Sequence, residues 1–283
     1  MSSLIHFEQP LNERIRTFMR VEQLYSRCAY YMEKEDALDS HSALSALLEL
    51  MGLVSRGDLK RELMKEVKRQ LTNLQQLHSI PSLNQNKLEE LVSGHSDLIN
   101  ELDNQPGQLV THLKDNDFLN SIKQRAAIPG GTCDFDLPAY HYWLTQPPAK
   151  RKEIIQKWLL PFDIAHKTVM HCLDLIRSSS EIETCEAPNG FYQRNLDQNQ
   201  PNQLIRVLVE ISDQCFPEIS AGKHRFSIRF LEQANPNQYP KQVERDINFK
   251  IACCAFKSMK ARIAAIPCAP CTLAFFTSGK FNP

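Results

Sequence analysis

Around Ser178-Ser-Ser180 the spacing of apolar residues changes from three-to-four to two, and this change restricts the fold more than any other feature. A chain that is helical in period on one side of a point and strand-like on the other is α+β, with the two kinds of element segregated. The expected organisation is an N-terminal helical bundle domain over residues 1–179 and a C-terminal antiparallel β-sheet domain over 180–254.

The helical part breaks into segments with their own start and stop signals. Ile15, Phe18, Val21, Leu24, Tyr25, Cys28 and Met32 follow Pro10 at helical spacing, so a helix is expected to start near that proline and run to Lys34. Ser42–Met51 reads as a short apolar helix ended by Gly52. Leu59, Leu63, Val67, Leu71, Leu74 and Leu77 form one stripe, with Asp58 placed as N-cap and Pro81 beyond the end. Further amphipathic segments cover 87–102 and 109–125, separated by a turn at 104–107. After the break at Ile128-Pro-Gly-Gly131, Phe135 and Leu137 alternate with Asp134 and Asp136 like a short extended piece. Helices resume over 139–144, 150–160 and 162–178.

Three later segments alternate strictly. Ile205, Val207, Val209 and Ile211 share one face, as do Phe226, Ile228 and Phe230, and then Val243, Ile247, Phe249, Ile251 and Cys253. They read as an antiparallel sheet with one wet face. Ile5 and Phe7 alternate before Pro10, so residues 4–8 read as a further strand that docks the N-terminus on the β part. Residues 255–283 have no periodicity and read as a poorly ordered tail.

Composition narrows the function. Lys+Arg and Asp+Glu are both 33, so bulk nucleic-acid binding, which shows a basic excess, is disfavoured. There is no basic-then-apolar leader and no run of about 18 apolar residues, which points to a soluble cytoplasmic protein with no membrane partner. Nine glycines form neither a phosphate loop nor a dinucleotide fingerprint, and no nucleophile elbow or His-Glu-x-x-His occurs. No catalytic residue, metal ligand or cofactor is assigned, so the chain reads as a binder and not an enzyme. Cys253, Cys254, Cys268 and Cys271 could supply thiolates to zinc, but adjacent cysteines on a strand point to opposite faces; free thiols are the plainer reading.

What the sequence does carry is cations on defined faces. On a helical wheel Arg16, Arg20, Arg27 and Lys34 fall within about 40° of one another, opposite the apolar stripe. An ordinary solvated face, blunted by Glu13 and Glu22, accounts for the same pattern. On the strand around Phe226, Lys223, Arg225 and Arg229 point away from the apolar side, where residues two apart in sequence lie roughly 6.7 Å apart. Arginine grips carboxylates in a bidentate way, so this ladder suits an acidic segment. Glu244 or Asp246 on a neighbouring strand could instead pair with it. Of the two groups the strand is the stronger candidate.

Several blocks of the chain resemble the Z ring-associated protein D (ZapD) family. They are Phe7-Glu-Gln-Pro-Leu-Asn-Glu-Arg-Ile-Arg-Thr-Phe-Met-Arg-Val-Glu22, Ile128-Pro-Gly-Gly-Thr-Cys-Asp-Phe-Asp-Leu-Pro138, Leu173-Asp-Leu-Ile-Arg177, Asn189-Gly-Phe-Tyr-Gln193 and Arg225-Phe-Ser-Ile-Arg-Phe230, in order along the chain. The resemblance implies a homodimer that binds FtsZ, the tubulin-like division GTPase, through its C-terminal peptide. Such a dimer would bundle filaments and steady the Z ring at midcell, without catalysis or cofactor. The family's basic surface falls on Arg20, Arg56 and His141 in the helical part, beside Arg16, and on Lys223, Arg225 and Arg229 in the β part. The chain departs from the family at Asp117, where some relatives carry a basic residue, and in the tail after Cys254. A nucleic-acid-binding protein using the same cations is the alternative.

Overall fold

The computed structural model describes residues 4–55, 57–78, 84–105, 110–197, 202–222 and 224–255. The tail expected over 255–283 therefore lies outside the described residues from Phe256 on, and so do Arg56 and Lys223.

The chain is α+β. It opens with strand β1 (Leu4–Pro10) and continues through helices α1 (Glu13–Met32), α2 (Ala37–Ser55), α3 (Leu59–Leu77), α4 (Gln85–Asp103), α5 (Thr111–Lys114), α6 (Asp117–Ala126), α7 (Pro138–Leu144), α8 (Pro148–Leu159) and α9 (Asp163–Arg177). Strands β2 (Glu183–Ala187), β3 (Phe191–Asn195), β4 (Asn202–Glu210), β5 (Phe216–Ala221), β6 (Arg225–Glu232), β7 (Lys241–Gln242) and β8 (Ile247–Ala255) follow.

Local chemistry explains most helix ends. Pro10 does not start α1; it closes β1, in register with Leu204. The start is set two residues later, where the Asn12 side chain accepts the Ile15 N–H at 3.0 Å. Asp58 caps α3 as expected, accepting from Arg61 N–H at 3.0 Å. Gly52 does not end α2, which runs on to Ser55; glycine weakens a helix without stopping it when the packing continues. The segment expected over 109–125 divides into α5 and α6, because the Asn116 side chain caps a new helix at Leu119 N–H. Asp117 then occupies the first turn of α6, where a carboxylate suits the helix dipole. Phe135 and Leu137 are not extended: residues 128–136 form successive tight turns, with Cys133 O accepting from both Asp136 and Leu137. Gly130 (φ 72) sits in the left-handed region, and a Cβ on Gly131 would lie 2.4 Å from Arg125 O, so both glycines are needed there.

The β part departs from the expected single sheet. Two antiparallel sheets form, ordered β1-β4-β8-β2 and β3-β6-β5, with β7 paired to β6. Ile205, Val207, Val209, Phe249 and Ile251 of the first pack against Phe226, Ile228 and Phe230 of the second; the Phe230 and Phe249 ring centres lie 5.0 Å apart. The other face of the first sheet is not wet. Leu204, Ala252 and Cys254 join the helical core, so the order of layers is helices, sheet, sheet. Ile211 leaves the strand, sits in a single 3₁₀ turn and is exposed. Val243 shares the sandwich core but precedes β8, donating its N–H to Phe230 O. The expected docking of the N-terminus holds: β1 pairs with β4 along its whole length.

Partly buried ion pairs join the layers. Arg177, the last residue of α9, donates to both carboxylate oxygens of Glu8 on β1 and of Glu22 on α1, at 2.7–3.2 Å. Arg206 on β4 reaches the same Glu8 at 3.0 Å. Within the bundle, fully buried Glu66 accepts from Arg14 (3.0 Å), Arg69 (2.5 Å) and Gln70 (3.0 Å). Gln70 bonds His95, and the rings of His95 and His171 are in contact at 3.2 Å. Arg151 ties α8 to the α1–α2 turn and to the end of α7, bonding Ser40 at 2.9 Å and the carbonyls of Leu144, Gln146 and Glu35.

Removing one member of a partly buried ion pair leaves its partners poorly compensated, so Arg177→Ala is expected to cost about 2–4 kcal/mol in urea unfolding; a loss below about 1 kcal/mol would show the clamp to be dispensable. Acid should act early. Burial, then His95 and Lys167, push His171 down to about 4. Burial opposes the charge on Glu66, but Arg69, Gln70 and Arg14 outweigh it and hold that carboxyl below its ordinary value. Both groups bind protons more readily when unfolded, so their stability is present at neutral pH and lost as pH falls. Unfolding free energy should begin to drop below about pH 6.5, before carboxylates titrate. His171→Asn should lessen that first decline, the rest of which belongs to His95, His166 and His6, also held down chiefly by burial, and a wild-type profile flat down to about pH 5 would contradict it.

Candidate functional site

Helix α1 turns Ile15, Phe18, Val21 and Cys28 into the core. The opposite side carries Arg16, Arg20 and Arg27, and these three line one groove of ≈ 1150 Å³. The wheel thus brings three of its four cations together. Lys34 lies past the helix end, 4.9 Å from the centre of the Tyr30 ring.

Two further helices complete the groove. Helix α2 contributes Ser45, Leu48, Glu49, Gly52 and Leu53; positions 45, 48, 49 and 52 form one helical stripe. Helix α2 is apolar around most of its circumference, and that surplus was legible as a second face to be covered. From α6 come Lys123 and Ala126, followed by Ala127. Helix α6 is held in place through Phe118, whose ring packs with Tyr140, Trp143 and Trp158 at centre separations of 5.8–6.3 Å. The floor is apolar, built from Met19, Leu24, Leu48 and Leu53, and the rim is cationic. A second depression of ≈ 410 Å³ shares Arg20 and Leu53 with it. A third, of ≈ 400 Å³, shares Ser45, Ala126 and Ala127 and runs to Gly130 and Gly131.

The rim cations are lightly held. Arg16 bonds Glu13 at 2.7 Å, and Arg20 reaches the same carboxylate at 3.9 Å. Arg27 pairs with Glu49 at 2.5 Å. All these pairs are solvent-exposed, and Lys123 has no carboxylate partner among the described residues. Exposed pairs of this kind exchange readily for a better anion.

The strand candidates fare differently. Arg225 and Arg229 are exposed on β6, as the alternation required. Arg229 is bound at 2.7 Å by Glu218, which faces it across β5, and not by Glu244 or Asp246; Asp246 instead accepts the Asn189 N–H. Arg225 has no side-chain partner among the described residues. His141 is exposed on α7, outside the groove. Arg27 was read as part of the cationic face of α1, but Lys123 was not singled out; it comes from a separate helix, and only the tertiary fold brings it to α1.

Among the described residues no group of three or more His, Cys, Asp or Glu could hold a metal ion, and no helix is long and apolar enough to cross a membrane. Cys268 and Cys271 lie outside those residues. Since Arg16 and Arg20 anchor nothing buried, Arg16→Ala with Arg20→Ala should change unfolding free energy by less than about 1 kcal/mol. A loss of several kcal/mol would make them structural.

The ZapD family model, described as "Cell division protein", matches residues 19–229. The chain is 36% identical over 251 residues to "Cell division protein ZapD" of Dechloromonas aromatica (strain RCB), covering 89% of this chain and 99% of that protein. It is 34% identical over 253 residues to "Cell division protein ZapD" of Nitrosomonas europaea, covering 89% of this chain and 96% of that protein. The family was expected from residue blocks that run from Phe7 to Phe230, nearly the span the family model matches, and the relatives extend the likeness over most of the chain. The chain belongs to the ZapD family of cell division proteins.

Proposed function

We propose that the chain binds the C-terminal peptide of FtsZ and, as a homodimer, cross-links FtsZ filaments to stabilise the Z ring at midcell in the cytoplasm. The observation that carries this reading is the groove on α1, α2 and α6, an apolar floor ringed by Arg16, Arg20, Arg27 and Lys123. A short segment with carboxylates and an apolar side chain fits that surface by charge and by shape. The cations Arg225 and Arg229, with Lys223 and Arg56, form the remaining proposed contacts, and His141 belongs to the same surface by family likeness. Arg229 is held by Glu218 in an exposed pair like those of the groove rim, so what favours the groove as the primary site is its apolar floor.

The reading requires no catalytic step and no cofactor. Each contact need only be weak, because a dimer on a polymer gains effective concentration for its second contact. The recognition is electrostatic and should weaken with salt.

Co-pelleting with FtsZ polymers tests it. The chain should bundle and pellet with intact polymers, fail with polymers lacking the C-terminal peptide, and release progressively above about 0.3 M salt. Arg16→Glu with Arg20→Glu should abolish pelleting, and Arg225→Ala with Arg229→Ala should abolish it without unfolding the protein. Unchanged pelleting of the second pair would remove β6 from the site. Equal pelleting with and without the peptide would overturn the proposal.

A further inference from the structure

Helices α3 and α4 form a hairpin whose main contacts outside itself are with α9, and a polar line crosses that contact through an otherwise apolar core. Glu66, Gln70 and His95 are all fully buried. Gln70 Nε2 donates to Glu66 Oε1 at 3.0 Å and to the Cys172 carbonyl at 3.3 Å. Those two acceptors fix which way the amide points, so its Oε1 faces His95 Nε2 at 3.0 Å and that nitrogen carries a hydrogen. His95 Nδ1 lies 3.2 Å from His171 Nε2. With both rings neutral, every hydrogen runs one way, from His171 to His95 to Gln70 to the Glu66 carboxylate. His171 closes the line from α9, its ring set against α4 at Gly94, where a Cβ would lie 3.4 Å from His171 Cε1.

The charges around the line are paired with one another. Glu66 holds Arg69 of α3 and Arg14 of α1, and Arg14 also bonds Glu62. Lys167, one turn before His171 on α9, is held by Glu101 of α4. Burial keeps the Cys172 thiol protonated. The Leu91 carbonyl, 2.6 Å from His95 Nδ1, offers one place for a further hydrogen; His171 has no carboxylate partner among the described residues. A first proton on His95 reverses its bond with His171, and a second sets two cations against each other with ring centres 4.5 Å apart. Burial lowers both histidines; the Leu91 carbonyl and Glu66 oppose it at His95, while His95 and Lys167 add to it at His171. Once out of this contact both rings bind protons near the ordinary histidine value, so the closed state is favoured in full above about pH 6.5 and loses ground as pH falls.

We propose that the Glu66–Gln70–His95–His171 line is an acid-operated latch: neutral, it holds the α3–α4 hairpin on α9, and on taking up protons it releases the hairpin while the rest of the fold stays. Arg14 then loses Glu62 and Glu66 together, so the state of the latch reaches the start of α1, beside Arg16 and Arg20. The proposal is independent of what the groove binds.

Native-state hydrogen exchange on the full chain, corrected for the intrinsic pH dependence of amide exchange, tests this between about pH 7.5 and about pH 5.5. Amides of α3 and α4 should be at least about tenfold less protected than those of β4 and β8 at both pH values, because the hairpin opens without the sheet. Their protection should fall about tenfold over that interval from His171 alone, and further with His95. In His95→Gln with His171→Asn the hairpin should keep its protection within about twofold across the same interval, while β4 and β8 still lose some through His166 and His6, which lie outside this contact. Ring ¹⁵N spectra at about pH 7.5 should show both histidines neutral, with the hydrogen on Nε2. Equal protection of hairpin and sheet would mean that α3 and α4 leave only on global unfolding and would overturn the latch. So would a wild-type hairpin with the same protection at both pH values, a reading that needs no variant to fold. A double variant that keeps the tenfold fall, or an imidazolium signal from either ring at the higher pH, would overturn it as well.

Discussion

The guanidinium of Arg177 joins the helical layer to the sheet. It stands at the end of α9 and holds Glu22 on α1 and Glu8 on β1 at once, while Arg206 on β4 closes on Glu8 from the sheet side. The N-terminal β1 and α1 are thereby locked to α9 and β4, far away in sequence, at one junction that is largely shielded from solvent. The registration matters because β1 is followed after two residues by α1, the helix that carries the groove arginines. The pairing of β1 with β4 and the Arg177 clamp therefore set where α1 lies, and with it the position of Arg16, Arg20 and Arg27.

A chain of zero formal net charge can still present a strongly basic surface, because its acids are not spread evenly. Several are used inside: Glu8, Glu22 and Glu66 compensate arginines that hold helices and strands together. The cations of the groove rim face few acids, and those pairs are exposed and weak. Structural arginines and rim arginines thus differ in burial more than in sequence context. Arg14 and Arg16, two residues apart, belong to different classes: one bonds buried Glu66 and the other reaches only exposed Glu13.

Much of the fold was legible because periodicity is local. The helices, the cap at Asp58, the change of period near Ser178 and the inward faces of β4, β6 and β8 all follow from spacing. What spacing could not show was pairing. Leu204, Leu208, Ala252 and Cys254 made β4 and β8 apolar on both faces, a sign of a strand covered on both sides, yet the stricter alternation of Ile205, Val207 and Val209 suggested a wet face. Pro10 shows a similar limit: proline suits a helix start and a strand end equally, and the Asn12 cap decided between them. The cationic face of α1 was readable on a wheel. Its conversion into a groove was not, since half of the floor comes from α2 and the far wall from α6.

Hydrogen–deuterium exchange of the full chain with and without the FtsZ C-terminal peptide tests most directly the proposal that the groove binds that peptide. The account predicts slowed exchange on peptides spanning residues 16–27, 45–53 and 123–127, which line the groove, with smaller changes on β6. Protection confined to β6 or to the α7 surface around His141, with the groove unchanged, would contradict it.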